Sequence, residues 1–263
     1  MSKQQRYISG CGIVLKRTKL KETDMIITIL CEDGSLISMV AKGARKPQSV
    51  FAHAIELYAT IRYSARATSQ LAQLTEALPV NFKETNRNDY TKLLTSSIVG
   101  DLAQHLAQED LAFEKFYALT HAALHAIVHT SSQQSWWIAA AYVLKAYSMA
   151  GFRPCLTHCC ICGSPLQLTR NYQRFSCNEG GCLCSACQSC SYEHTLSYAF
   201  LNCYWTLETS TFAQLSDAVL ELSLLKKVFE FESTWLSFHL SITLKSLRLA
   251  SHDITALARG RCS

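Results

Sequence analysis

A chain of 263 residues with 49% hydrophobic and 17% charged residues can bury a real core, so disorder is not the default, and four prolines with ten glycines leave little for long linkers. Its net charge is +5, yet residues 1–66 hold eleven Lys/Arg against five Asp/Glu while the remainder holds fourteen against fifteen. The cationic surplus therefore sits wholly at the N-terminal end, and charge segregated in this way points to a polyanionic partner.

From Tyr7 to about Leu78 the pattern is strand-like: GIVLK, MIITILC, SLISMVAK, AIELYATIRYS and QLAQLTEA. Asp33-Gly34 between the second and third runs is a hairpin signal, because Gly accepts a positive φ, and it predicts antiparallel pairing of Met25–Cys31 with Ser35–Val40. Five short strands followed by a basic loop, AKGARKPQS, suit a five-stranded oligonucleotide-binding (OB) barrel; an open sheet of the same strands is the alternative, and periodicity does not separate the two.

Beyond Asn81 the apolar period becomes helical. Leu94, Ile98, Leu102 and Leu106 form one stripe, Phe113, Tyr117, Leu124 and Val128 another. A third helix, Trp136 to Ala150, should stop at Gly151 with Pro154 beyond it. Two more helices are expected at about 211–230 and 234–250. The expected fold is α+β: an OB-fold nucleic-acid-binding domain over 1–80, then an α-helical domain over 81–263 with a metal-sized segment at about 155–190.

That segment carries the sharpest motif. Cys159 and Cys162 form one C-x-x-C, and Cys184 and Cys187 another, a spacing at which two short knuckles give four thiolates to a tetrahedral zinc ion. Gly163 and Gly180-Gly181 supply tight turns. The register has rivals, since Cys187 and Cys190 also make a C-x-x-C, and Cys155, Cys160, Cys177 and Cys182 lie close by; buried thiols without metal are the other reading. Thirteen cysteines, an odd number, suggest a reducing compartment. The opening MSKQQRYISGCGIVLKR has no apolar core of an export leader, and the most apolar helix is interrupted by Lys145 and too short for a bilayer, so a cytoplasmic protein without membrane contact is expected.

Catalytic motifs are missing. No H-E-x-x-H, no H-x-E with a later P-C-x-x-C, no phosphate-cradling G-x-x-x-x-G-K-[ST] or G-x-G-x-x-G and no G-x-S-x-G occurs, and four thiolates leave zinc no open position for water. His121, His125 and His129 are spaced one helical turn apart without a carboxylate to complete a metal set, and polar face positions account for them. A binding protein is expected, not an enzyme.

The expected grip is basic. Lys16, Arg17, Lys19 and Lys21 cluster in the first loop, and Lys42, Arg45 and Lys46 in the loop after the third strand; in a barrel the two can converge on one rim and track phosphates. Alternation along AIELYATIRYS places Tyr58 and Arg62 on one face, as candidates for base stacking and phosphate contact, unless Tyr58 packs beneath a helix.

The run LKETDMIITILCEDGSLISMVAKGARKPQS resembles the N-terminal domain of the RecO family of bacterial recombination mediators, and AGFRPCLTHCCICG with FSCNEGGCLCSAC is similar to the zinc segment kept by some of its members. The resemblance implies an OB fold followed by a helical domain with a structural zinc. It also implies binding of single- and double-stranded DNA, annealing of complementary strands, action with RecR, and help in loading RecA onto strands coated by single-stranded DNA-binding protein, in the bacterial nucleoid. The extra cysteines and the tail ALARGRCS depart from the pattern. An RNA-binding zinc-ribbon factor is the alternative function.

Overall fold

The computed structural model describes residues 6–51, 53–80, 89–107, 113–166, 172–187, 194–218 and 221–258. They fall into two compact units, Met1–Ser132 and Gln133–Ser263. The rival ligand Cys190 and the tail from 259 lie outside the described residues.

In the first unit β1 (Tyr7–Leu20), β2 (Asp24–Cys31), β3 (Leu36–Ala41), β4 (Thr60–Arg66) and β5 (Ala72–Pro79) close into a barrel in the order β1-β2-β3-β5-β4, with β1 returning to β4. All pairings are antiparallel except β3 with β5. This is an OB-like barrel and not an open sheet, and closure leaves no edge to template other chains. Alternation along β2 sends Met25, Ile27 and Ile29 inward to meet Val14, Met39, Ile61, Tyr63 and Leu74.

β1 is long enough to serve two neighbours: Tyr7–Ile13 pair with β4, and Gly12–Leu20 with β2. The hand-over needs Gly12, where a Cβ would stand 2.4 Å from Ile29 Cγ2 and 2.6 Å from the Leu30 carbonyl. The expected hairpin forms at Asp33-Gly34: Gly34 has φ 87° and donates to the Cys31 carbonyl at 2.8 Å, and the Asp33 carboxylate accepts from the Ser35 N–H at 2.9 Å.

The run AIELYATIRYS is not a strand before Thr60. Phe51, Ala54 and Ile55 instead drop from the loop into the barrel core, and Tyr58 turns the chain with φ 67°, so the face assigned by alternation fails there.

Helices α1 (Tyr90–Leu106) and α2 (Glu114–His129) belong to the same compact unit as the barrel. Asp89 caps α1 by accepting the Lys92 N–H at 3.0 Å. The helix meets the barrel at Gly100, whose missing Cβ makes room for the Tyr58 ring, and at Gln104, which donates to the Leu15 carbonyl at 3.0 Å. On α2 the buried stripe is Phe116, Thr120, Ala123, Leu124 and Ile127; Phe113 is the exposed cap residue.

The second unit is built on α3 (Ser132–Met149), buried on every side from Ser135 to Leu144. It ends as expected: Gly151 at φ 91° donates to the Ser148 carbonyl at 3.1 Å, and Phe152 to the Tyr147 carbonyl at 2.9 Å, which closes the last turn. A sheet follows in the order β7-β6-β8, from β6 (Tyr172–Ser176), β7 (Gly181–Leu183) and β8 (His194–Ser197).

Among the described residues four helices complete the unit: α4 (Tyr198–Thr209), α5 (Phe212–Asp217), α6 (Leu222–Leu240) and α7 (Lys245–Ala258). The two helices expected after the cysteines are thus corrected. α4 precedes them, and α6 runs unbroken through 230–234 to Ser241, a left-handed cap at φ 55°. Phe175, Phe200, Tyr204, Phe231 and Trp235 pack ring on ring, and the Trp235 indole donates to the Phe152 carbonyl at 2.7 Å. Among the described residues no helix is long and apolar enough to cross a membrane.

Candidate nucleic-acid interface and metal centre

The strand pattern decides where the cations stand. Lys16, Arg17 and Lys19 do not lie in a loop: they continue β1, opposite Thr28, Ile27 and Met25 of β2. Lys21 alone of that group sits in the β1–β2 turn, with φ 55°.

Across from this turn the loop after β3 is laced to it. The Arg45 N–H donates to the Thr23 carbonyl at 2.9 Å, and its guanidinium to the carbonyls of Lys21 at 3.0 Å and Glu22 at 2.8 Å. The Gly43 N–H reaches the Asp24 carboxylate at 2.8 Å. That bond is the main cause holding the Asp24 carboxyl below its usual range; partial desolvation opposes it, and Thr23, Lys21 and Lys42 add to it. The two basic loops therefore meet on one rim.

The seven cations divide by task. Arg45 ties the loops, and Arg17 pairs with Glu56 at 3.5 Å while its Nε reaches Met25 Sδ at 3.2 Å. Lys16, Lys19, Lys21, Lys42 and Lys46 are exposed and have no ion-pair partner among the described residues. They can offer their ammonium groups to an incoming polyanion. Sequence reasoning missed the clamp formed by Arg45 and Asp24, and no motif announces it.

Tyr58 and Arg62 are not brought together on one face. The Tyr58 ring lies against Gly100 of α1, and burial pushes its phenol well up. Arg62 stands exposed on β4 between Cys11 and Leu78, in a shallow hollow that also holds Glu32 and Glu76.

The four expected metal ligands do come together. The Sγ atoms of Cys159, Cys162, Cys184 and Cys187 all lie within 4.8 Å of one another, and Cys162 and Cys184 are 3.6 Å apart. Sulfurs at about 2.3 Å from a tetrahedral zinc would be about 3.8 Å apart, so the set fits the ion. The first knuckle turns through Gly163 at φ 72°, whose N–H donates to the Cys159 carbonyl at 2.9 Å. The frame beneath it is fixed by Gly181, where a Cβ would come within 2.3 Å of the Cys155 carbonyl.

The electrostatics favour thiolate at the first knuckle. Burial would raise the Cys159 thiol, but N–H groups of Cys162, Cys184 and Ile161 outweigh it and bring the thiol down to about 6. The Ser164 hydroxyl and N–H lower Cys162, whereas hydrogen bonding to Cys162 and Cys184 raises Cys187. The neighbouring thiols differ: desolvation pushes the half-buried Cys160 up to about 11 and the core residue Cys182 up to about 12, as suits thiols outside the metal set. On α2 the rings of His121, His125 and His129 form a row, with centroids 6.4 and 4.3 Å apart.

Among solved structures the chain is similar to Entamoeba histolytica asparaginyl-tRNA synthetase, at 8% identity over 67% of this chain and 37% of that one; a TM-score of 0.27 carries no argument. The family comparison is of another order. The model described as recombination protein O, N terminal, matches residues 6–82, and that described as recombination protein O, C terminal, matches residues 87–248. Barrel, helices and cysteine cluster thus lie where these two models place a single family, and the chain belongs to the recombination protein O family, whose role lies in DNA repair and recombination.

Proposed function

We propose that this chain is a non-enzymatic recombination mediator that binds single- and double-stranded DNA along the barrel rim, anneals complementary strands, and helps load the RecA recombinase. The observation that carries the reading is the rim with the strand beside it: two loops held together by Arg45 and Asp24 that carry Lys21, Lys42 and Lys46, and the adjoining β1 with Lys16 and Lys19, all five left to face solvent. Cations on one firm surface neutralise phosphates of two strands at once and so reduce the repulsion that opposes pairing. The rim needs no nucleotide chemistry for this. Arg62 contributes on the outer face of β4, and Tyr58 acts mainly through packing against α1.

In the same reading zinc occupies the four-cysteine site as a structural ion, its sphere closed by Cys159, Cys162, Cys184 and Cys187. RecR and the single-stranded DNA-binding protein are the protein partners in this reading, and the bacterial nucleoid is the place of action; membership of a recombination family supports both. The 1–80 and 81–263 division separates the barrel from the helices by secondary structure, although α1 and α2 pack into the barrel's compact unit.

The test is annealing of complementary oligonucleotides by the purified chain, with matched RNA strands as competitors and zinc measured in the same preparation. Annealing of DNA with about one zinc per chain supports the reading. Preference for RNA by its 2′-hydroxyls would make the chain an RNA-binding factor instead.

A further inference from the structure

A cavity of about 500 Å³ opens in the C-terminal unit between the segment 153–157 and α4. One wall is aromatic. Tyr198 and Trp205 are 51% and 55% exposed, whereas Trp136, Trp137 and Trp235 are all buried. Seven residues apart, the two rings share one face of α4, about 10 Å apart along its axis. Leu201 and Asn202 lie between them on the cavity lining.

The end of the cavity is cationic. Arg153 grips Glu208 through two bonds, Nε to Oε1 at 2.6 Å and Nη2 to Oε2 at 2.9 Å. The guanidinium faces outward, since the Arg153 side chain is 62% exposed and that of Glu208 17%. The Lys145 ammonium also donates to the Glu208 carbonyl. Two cations against one carboxylate leave a local positive surplus beside the aromatic wall.

We propose that this cavity takes an unpaired base of single-stranded DNA, stacked on Trp205, with a flanking phosphate at Arg153. An aromatic face stacks any base, the Asn202 amide offers both a donor and an acceptor to a base edge, and the outward guanidinium complements the backbone. Tyr198 takes a second base from the same strand, splayed away from the first, because about 10 Å far exceeds the roughly 3.4 Å of a stacked step. Paired bases are held in the duplex stack and cannot enter. The inference rests on the chain's role as a DNA binder but not on which barrel cations do the gripping.

Trp205 is its own probe, as the other three indoles are buried. The full-length chain with its metal is titrated with oligothymidylate, and indole fluorescence is followed with iodide as a collisional quencher. The expected result is quenching of the exposed indole together with its protection from iodide. An abasic strand with the same number of phosphates and a sealed duplex should give neither.

In anisotropy titrations Trp205→Leu should weaken oligothymidylate binding by about five- to hundredfold, the range for one stacked base, and leave abasic-strand binding unchanged. Retained metal content and helicity identify the variant as folded, and Tyr198→Ala, with Trp205 left in place as reporter, provides a second, smaller loss. Equal effects with the abasic strand or duplex, or response only to an apolar peptide, would overturn the proposal. If the chain binds DNA with a steep salt dependence while Trp205 stays unmoved, the cavity proposal alone fails; if no DNA binds at all, the DNA-binding reading fails with it.

Discussion

The barrel and the cysteine-bearing sheet are both small β structures, held by different means. The barrel closes five strands of six to fourteen residues around an apolar interior, so its backbone bonds and core suffice to hold it. The second sheet has strands of five, three and four residues, too short to stand by pairing alone. There the four sulfurs are part of the scaffold, whereas the barrel's lysines decorate a scaffold that stands without them. Substitution of functional residues should therefore damage stability in one region and only binding in the other.

The largest expected effect is at the metal site. Cys184→Ser should lose the bound metal and destabilise the C-terminal unit by several kcal/mol, because the binding free energy of a structural zinc is folding free energy. Metal analysis and thermal melting check this, and Cys190→Ser should keep full metal content. The reverse pattern would move the register to the later pair.

Gly12→Val comes next and strikes the barrel's frame. The added atoms collide with Ile29 and the Leu30 carbonyl where β1 passes from one neighbour to the other, at a cost of about 3 kcal/mol in urea denaturation. A wild-type midpoint in this variant would mean that closure does not depend on the close approach. By contrast, alanine at any of the five exposed lysines of β1 and the rim loops should shift stability by less than about 0.5 kcal/mol.

A smaller change, of opposite sign, is expected at Glu232. It is fully buried on α6, neither carboxylate oxygen has a hydrogen-bond partner among the described residues, and desolvation raises its pKa well above the glutamate range. The folded chain thus keeps a proton that the unfolded chain releases above about pH 4.3. The stability linked to this group is full below that pH and is lost as pH rises towards the folded pKa. Glu232→Met should stabilise the unit by about 1–3 kcal/mol near neutral pH, with a gain that shrinks in melts at pH 4–5. A gain independent of pH would assign the effect to packing alone.

How much of this was legible in the sequence follows from what each residue type reveals. The hairpin at Asp33-Gly34 and the C-x-x-C pairs could be read because backbone conformation and metal geometry impose fixed spacings. In the sequence β1 looks too short because Lys16, Arg17 and Lys19 resemble loop residues, yet a barrel strand can carry cations on its outer face. The opposite error came at 54–59, where apolar residues that plug the barrel from a loop imitate a strand. α4 escaped because Tyr, Phe, Cys, Trp and Thr are weak helix formers, and its only local mark is Ser197, whose hydroxyl accepts the Phe200 N–H at 3.2 Å. Arg45 looked like one more phosphate ligand. Its work as a clamp depends on carbonyls more than twenty residues away, which no local pattern encodes.

That division between clamp and contact allows the most direct test of the rim. Fluorescence anisotropy with a labelled single strand, over a series of salt concentrations, measures how many phosphates are neutralised. Lys42→Ala combined with Lys46→Ala should lower the slope of log affinity against log salt by about 1.4 units, roughly 0.7 for each contact, with melting unchanged. Lys226→Ala with Lys227→Ala on α6, where Lys226 already pairs with Glu230 at 3.6 Å, should leave the slope as it is. An unchanged slope in the rim variant with a fall in the α6 variant would contradict the account and move the DNA site to the helices.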